Sequence, residues 1–200
     1  MTMLWRAFGS IALAGALGGC SLGGLLGGGK PPTTLQTLTP EAPDPGAITR
    51  AANAGQTVTI STPSTAKELR TVRVPVQITP TDIQYVTGLQ WIDTPDRLFQ
   101  ELVAETVRRT TGRVVLDPRQ STLDPGLQVT GALQEFGYNA SSRQVMVRYD
   151  ASLSTEGGTR VETRRFTATA PADGTGPSVG AALNRAANQV ALDVARWIGG

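Results

Sequence analysis

Residues 143–170 read RQVMVRYDASLSTEGGTRVETRRFTATA, and their alternation decides the architecture. Successive side chains of a strand point to opposite faces, so Val145, Val147, Tyr149, Ala151 and Leu153 share one side of an extended chain. Arg148, Asp150 and Ser152 then fall on the solvated side. Met146 lies alone among those polar neighbours, and this reading gives it no role. Gly157-Gly158 turns the chain into a second extended run, Arg160 to Ala170. Upstream, Leu127, Val129 and Leu133 open a third run, with a change of phase at Glu135-Phe136 and a turn near Asn139. Consecutive strands joined by short turns predict an antiparallel arrangement.

On the C-terminal side the period changes. From Ser178 as cap to about Ile198, Leu183, Ala187, Val190, Val194, Trp197 and Ile198 recur at helical spacing and form one stripe. Gly174, Gly176 and Gly180 lie around its start without the spacing of a dinucleotide turn. A second helix begins at Thr94, which precedes Pro95 and Asp96, residues favoured in a first turn. It buries Leu98, Phe99, Leu102, Val103 and Val107, shows Arg97, Gln100, Glu101, Glu105 and Arg108 to water, and ends at Gly112. A short strand, Arg113 to Leu116, follows.

Earlier segments read as strands. They are Leu35 to Thr39, Gln56 to Ser61 with Val58 and Ile60 on one face, and the run Val72, Val74, Val76, Ile78. Pro75 within that run marks an edge strand or a bulge. From Asp82 to Ile92 the odd positions Ile83, Tyr85, Leu89 and Trp91 are apolar, which reads as one strand bent at Gly88 or as two short strands around it. The order of strands, helix, strands and helix predicts an α+β fold, with a mainly antiparallel sheet carrying two helices on one face. Residues 35–200 form a single domain on this reading, and Tyr149 and Trp197 belong to its core. Tyr85 and Trp91 read as core residues of a half-buried segment. A second reading makes them a partner contact, since interface hot spots favour Trp and Tyr.

The first nineteen residues are of another kind. Arg6 gives a positive start, Ala7 to Leu17 is apolar, and Leu17-Gly18-Gly19-Cys20 reads as a lipobox. The apolar run is shorter than the roughly 20 residues a spanning helix needs. The reading is a signal peptide, 1–19, cleaved before a cysteine that accepts lipid. Alternatives are a buried N-terminal helix or cleavage elsewhere. Cys20 is the only cysteine, so no intramolecular disulfide can form. Ser21, rather than Asp, follows it, and under the enterobacterial sorting rule this sends a lipoprotein to the outer membrane, facing the periplasm. Residues 20–34 read as the lipidated cysteine and a Gly-rich tether. Gly24, Gly29 and Lys30 imitate a phosphate loop, but Pro31 stands where Ser or Thr should be and no strand precedes it.

Composition excludes several classes of function. A formal net charge of +2, with Arg108-Arg109 and Arg164-Arg165 as the basic pairs, leaves no electrostatic footprint for nucleic acid. There is no histidine, which removes the usual general base and the commonest metal ligand. With Cys20 lipidated, neither a zinc site nor a Ser-His or Cys-His apparatus can be assembled. The expectation is a non-catalytic protein without metal or cofactor.

The mature part resembles the PqiC-like ABC-type transport auxiliary lipoproteins, which accompany MCE-type (Mla-like) lipid transporters. The likeness runs from Leu35-Gln36-Thr37-Leu38, where a tyrosine usual in the family is missing, through Leu69-Arg70-Thr71-Val72-Arg73-Val74 and Ile83-Gln84-Tyr85 to Trp91. It continues through Leu98-Phe99, Leu127-Gln128-Val129, Glu135-Phe136, Arg165-Phe166 and the Ala-rich last helix. The resemblance implies a periplasmic adaptor whose partners are an MCE-domain protein, an ABC permease and an ATPase, the last carrying the ATP chemistry. Lipopolysaccharide-assembly lipoproteins share this architecture, so the alternative is an outer-membrane assembly or pore-plugging role.

Overall fold

A computed structural model describes residues 34–199, apart from 54, 121–123, 125 and 156–159. The expected signal peptide, Cys20, Ser21 and the imitation phosphate loop lie outside the described residues, as does Gly157-Gly158.

Eight strands and two helices follow in the order β1 (Val58–Ile60), β2 (Ser64–Thr65), β3 (Arg73–Gln77), β4 (Ile83–Gln90), α1 (Pro95–Thr110), β5 (Val115–Leu116), β6 (Leu127–Asn139), β7 (Gln144–Ser154), β8 (Val161–Pro171) and α2 (Gly176–Gly199). The meander of β6, β7 and β8 forms as its alternation predicts, and both of its pairings are antiparallel. The change of phase at Glu135-Phe136 is a bulge: the β6–β7 register shifts between Leu133 and Glu135.

The rest of the sheet departs from the expected pattern. β1, β2 and β3 lie one after another along the far edge of β6, and all three run parallel to it. β5 is parallel to β1, whereas β4 returns antiparallel to β3. The sheet is therefore mixed rather than mainly antiparallel. Alternation along a strand reports which side chains share a face and carries no record of direction, so the parallel half was not legible from it. Pro75 is also not on an edge strand, because β3 is flanked by β4 and β6. It sits at the register shift between Arg73 and Pro75, and the β3–β6 pairing starts just after it, at Val76. A residue without an N–H cannot extend that ladder.

Both helices cover one face of the sheet. Val129, Leu133 and Phe136 of β6, Val145, Val147, Tyr149 and Ala151 of β7, and Phe166, Ala168 and Ala170 of β8 are buried beneath them. α1 inserts Leu98, Phe99, Leu102, Val103 and Val107, and Phe99 meets Tyr149 edge-on with ring centroids 5.1 Å apart. Thr94 occupies the N-cap position ahead of Pro95, although its hydroxyl makes no capping bond. α2 starts two residues before the expected cap. Ser178 Oγ instead accepts the Asp173 N–H at 3.1 Å, while Asp173 Oδ1 accepts the Thr175 N–H at 2.8 Å.

The segment from Thr34 is a strap and not the expected strand. Gln36 makes one parallel bridge to Trp91, donating to Gln90 O and accepting from Ile92 N–H. The strap then crosses α2, where Asn184 Oδ1 accepts from Thr39 N–H at 2.8 Å and Asn188 Oδ1 from Glu41 N–H at 2.7 Å. Asn188 Nδ2 returns a bond to Thr39 O at 2.9 Å. Further on, Arg109 holds Ala42 O and Arg50 reaches Arg113 O. An asparagine at the centre of an apolar helix is costly unless its amide is satisfied. The strap's backbone satisfies it.

Candidate docking surface

The two faces of the sheet differ. One is the core. The other carries no helix among the described residues, and its floor is set by register. Tyr85 of β4 pairs with Pro75 of β3, Gly137 of β6 pairs with Met146 of β7, and Met146 pairs with Thr169 of β8. Val76 pairs with Tyr138, which puts Pro75 beside Gly137 and joins these pairs into one row across the open face. Pro75 and Gly137 are in close approach, because a Cβ at Gly137 would come 2.7 Å from Pro75 O. Met146 is therefore not incidental. The row continues past Gly137 to Pro75 and Tyr85, on strands remote in sequence, and the alternation of its own strand could not reveal them.

A groove of about 200 Å³ opens along this row, with Pro75, Gly137, Met146 and Ile83 as its apolar part. Gln77, Gln134, Glu135 and Gln144 supply polar groups around it, and Glu68 borders it from the 3-10 turn Lys67–Leu69. Next to the groove the open face becomes a charge ladder. Arg148 pairs with Glu135 across β6–β7, and Arg165 pairs in a fork with Asp150 across β7–β8, at 2.6 and 2.7 Å.

Tyr85 and Trp91, six positions apart in one segment, are not brought together. Tyr85 lies half-buried on the open face with the Arg73 guanidinium carbon 4.0 Å from its ring centroid, a cation–π contact. Trp91 points into the core, is 1% exposed and meets Phe136 edge-on at 5.8 Å. Gly88, at φ +73°, is the cause: it rotates the strand, so that Val86 before it and Leu89 after it are both buried. The expected face is thus right for Leu89 and Trp91 and wrong for Ile83, which is 50% exposed. Trp91 offers no surface to a partner and is withdrawn as a contact residue. Tyr149 is buried as expected, whereas Trp197 is only partly so. It leans on Phe166 at 5.5 Å, its Nε1 donates to Glu162 at 3.2 Å, and Arg164 lies over its ring at 5.7 Å.

Among the described residues no group of three or more Cys, Asp or Glu could hold a metal ion, and no helix is long and apolar enough to cross a membrane. The titratable groups that depart from ordinary values do so for structural reasons. Asp150 is held below the usual carboxylate range chiefly by the Arg165 hydrogen bond, and Glu105 chiefly by Arg109. Asp124 is lowered first by the Gly55 N–H and Asp173 first by the Thr175 hydroxyl. Exposed Asp117, gripped by Arg119, is held down to about 2. Burial raises the Tyr149 phenol, whose hydroxyl donates to Thr130 O at 3.3 Å.

A pH dependence follows. Each of these carboxylates has a folded pKa below its unfolded value of about 4, so the unfolded chain binds more protons. Their stabilisation is complete above that value and is lost as the pH falls through the folded pKa. With no histidine in the chain, the thermal midpoint should stay level from about pH 8 to pH 5 and fall below about pH 4. Melting followed by circular dichroism across that range tests this. A step between pH 6 and 7 would contradict it.

Comparison with known proteins agrees with the fold. The family model for the ABC-type transport auxiliary lipoprotein component matches residues 37–195. No curated protein matches the chain. Among solved structures, a Xanthomonas campestris protein of the DUF330 family superposes with a TM-score of 0.67 at 18% identity, covering 83% of this chain and 95% of that one. An uncharacterized protein gives 0.63 at 14% identity, over 75% of this chain and 96% of that one. At these identities the two structures speak for the fold alone. The family match spans strap, sheet and both helices, so the chain belongs to the ABC-type transport auxiliary lipoprotein component family.

Proposed function

We propose that this protein is a non-catalytic, lipid-anchored periplasmic component of an ABC-type lipid transport system of the MCE kind, acting as tether and docking adaptor. The observation that carries the reading is the family match over residues 37–195. It assigns an auxiliary role in ABC transport to the whole folded domain, and the specific system is our reading of the sequence resemblance. Lipidation at Cys20 would hold the domain at a membrane, and Ser21 at the following position favours the outer membrane. The ATP chemistry then belongs to the partners.

Co-purification tests the proposal. Full-length protein solubilised in mild detergent should bring down an ABC permease, its ATPase and an MCE-domain protein in fixed ratio. Recovery of an outer-membrane β-barrel instead would favour the assembly or pore-plugging alternative. Recovery of none of these subunits would end the transport assignment.

A further inference from the structure

The sheet has edges at β2, β4, β5 and β8, and the chain treats them differently. β2 and β5 are two residues long each. β4 is bridged at its C-terminal end by Gln36, and Gly176 of α2 lies against Thr87 O, which leaves the short stretch Ile83–Tyr85 with β3 on one side and no described strand on the other. β8 pairs with β7 through eleven successive residues without a register shift, and no described strand lies on its other side.

The hydrogen-bond pattern shows what that side presents. Ala172 N–H donates to Arg143 O and Thr155 N–H to Arg160 O, so the even-numbered residues of β8 exchange bonds with β7. The backbone N–H and C=O groups of Val161, Thr163, Arg165, Thr167 and Thr169 therefore face outward. An exposed row of this kind is a template for another strand, and proteins usually blunt it with charge, proline or a bulge. Here the charges are confined to the first half of β8. From Phe166 to Ala170 there is none, and the outward-facing backbone groups there belong to uncharged Thr167 and Thr169. In the first half, Arg160 is paired with Glu162 and Arg165 with Asp150, whereas Arg164 has no carboxylate partner among the described residues and rests on Phe166 and Trp197.

We propose that the outer edge of β8 is a strand-addition site, receiving an extended segment of another protein that carries a carboxylate for Arg164 among small uncharged residues. Main-chain bonds supply the affinity and side-chain placement the selectivity. A second copy of this chain fits less well, because it would bring another unpaired Arg164 to the same edge instead of an acid. The inference rests on the docking role proposed above and names the surface that would serve it.

The test uses the detergent-solubilised full-length protein and a short blocked peptide of alternating threonine and valine with one central aspartate, followed by fluorescence anisotropy. Saturable binding is expected, weakened at least tenfold by Thr167→Pro with the thermal midpoint kept. That substitution removes an outward N–H, a change edge strands tolerate. Arg164→Glu, which leaves the backbone untouched, should reverse the preference toward the same peptide with lysine at its centre. No saturable binding, or equal binding of a backbone N-methylated peptide, would overturn the proposal. So would a dimer of the wild type that Thr167→Pro abolishes, since the occupant would then be a second copy. Subunit capture is scored separately. Peptide binding without capture leaves the edge and removes the transport reading, whereas capture undisturbed by Thr167→Pro removes the edge alone.

Discussion

Trp91→Ala is expected to lower the thermal midpoint of the protein by roughly 6–16 °C. Trp91 is 1% exposed and heads the fully buried side chains by size. Removing it deletes its own burial and leaves a cavity, which for Trp→Ala typically costs about 3–5 kcal/mol. It also removes the edge-on contact with Phe136, a pairing that holds the end of β4 against the centre of β6. One offset exists: Trp91 Nε1 is buried without a hydrogen-bond partner, so truncation also relieves an unsatisfied donor. That places the expected cost at the lower half of the range. Tyr85→Ala is the control, because Tyr85 is half-buried and shares its ring with Arg73, and it should shift the midpoint by only a few degrees. A Trp91→Ala protein melting within a degree or two of wild type would show that the β4–β6 packing is wrong.

Cys20→Ala should abolish lipidation altogether. Each buried methylene contributes about 0.8 kcal/mol, so several acyl chains on one cysteine amount to a permanent anchor, and no weaker version of the effect is available when the thiol is gone. The substituted protein is expected to accumulate as an uncleaved precursor without lipid label, while its folded domain melts as wild type. Metabolic labelling with palmitate and gel mobility read the first result, and circular dichroism the second. Label retained at wild-type level in the variant would remove the lipoprotein reading of residues 1–20. In density-gradient fractionation, Ser21→Asp should move the lipidated protein toward the inner membrane in a host that follows the enterobacterial rule.

Several elements were readable from the residues because their signal is local. The stripe of α2, the buried side of α1 and the alternation of β6, β7 and β8 depend on a fixed period along one segment, and burial follows the period. The bulge at Glu135 was readable for the same reason, as a break in phase within one strand. Other elements failed where two local signals conflicted. In β4 the apolar odd positions continued through Gly88, but a positive φ at that glycine rotates the strand, so Val86 went inward and Tyr85 outward. Trp197 followed the helical stripe to the last turn of α2, but it lies at the margin of that stripe beside Phe166 and Glu162 of the outer strand, and the ring is only partly covered, while Ile198 next to it is buried.

Period, composition and short-range pattern carried the faces of β6, β7 and β8, both helices, the expectation that catalysis was absent and the family. They carried neither the two-residue β2 nor the strap that stands in place of the expected strand at Leu35 to Thr39. Only the tertiary structure decided that β1, β2 and β3 run parallel along one edge of β6, that Met146 completes an apolar row with Pro75 and Gly137, and that β8 is left with an open edge. Strand direction and edge position depend on which distant segments pair. The free energy of pairing is shared between two stretches of chain, so neither stretch carries the choice alone.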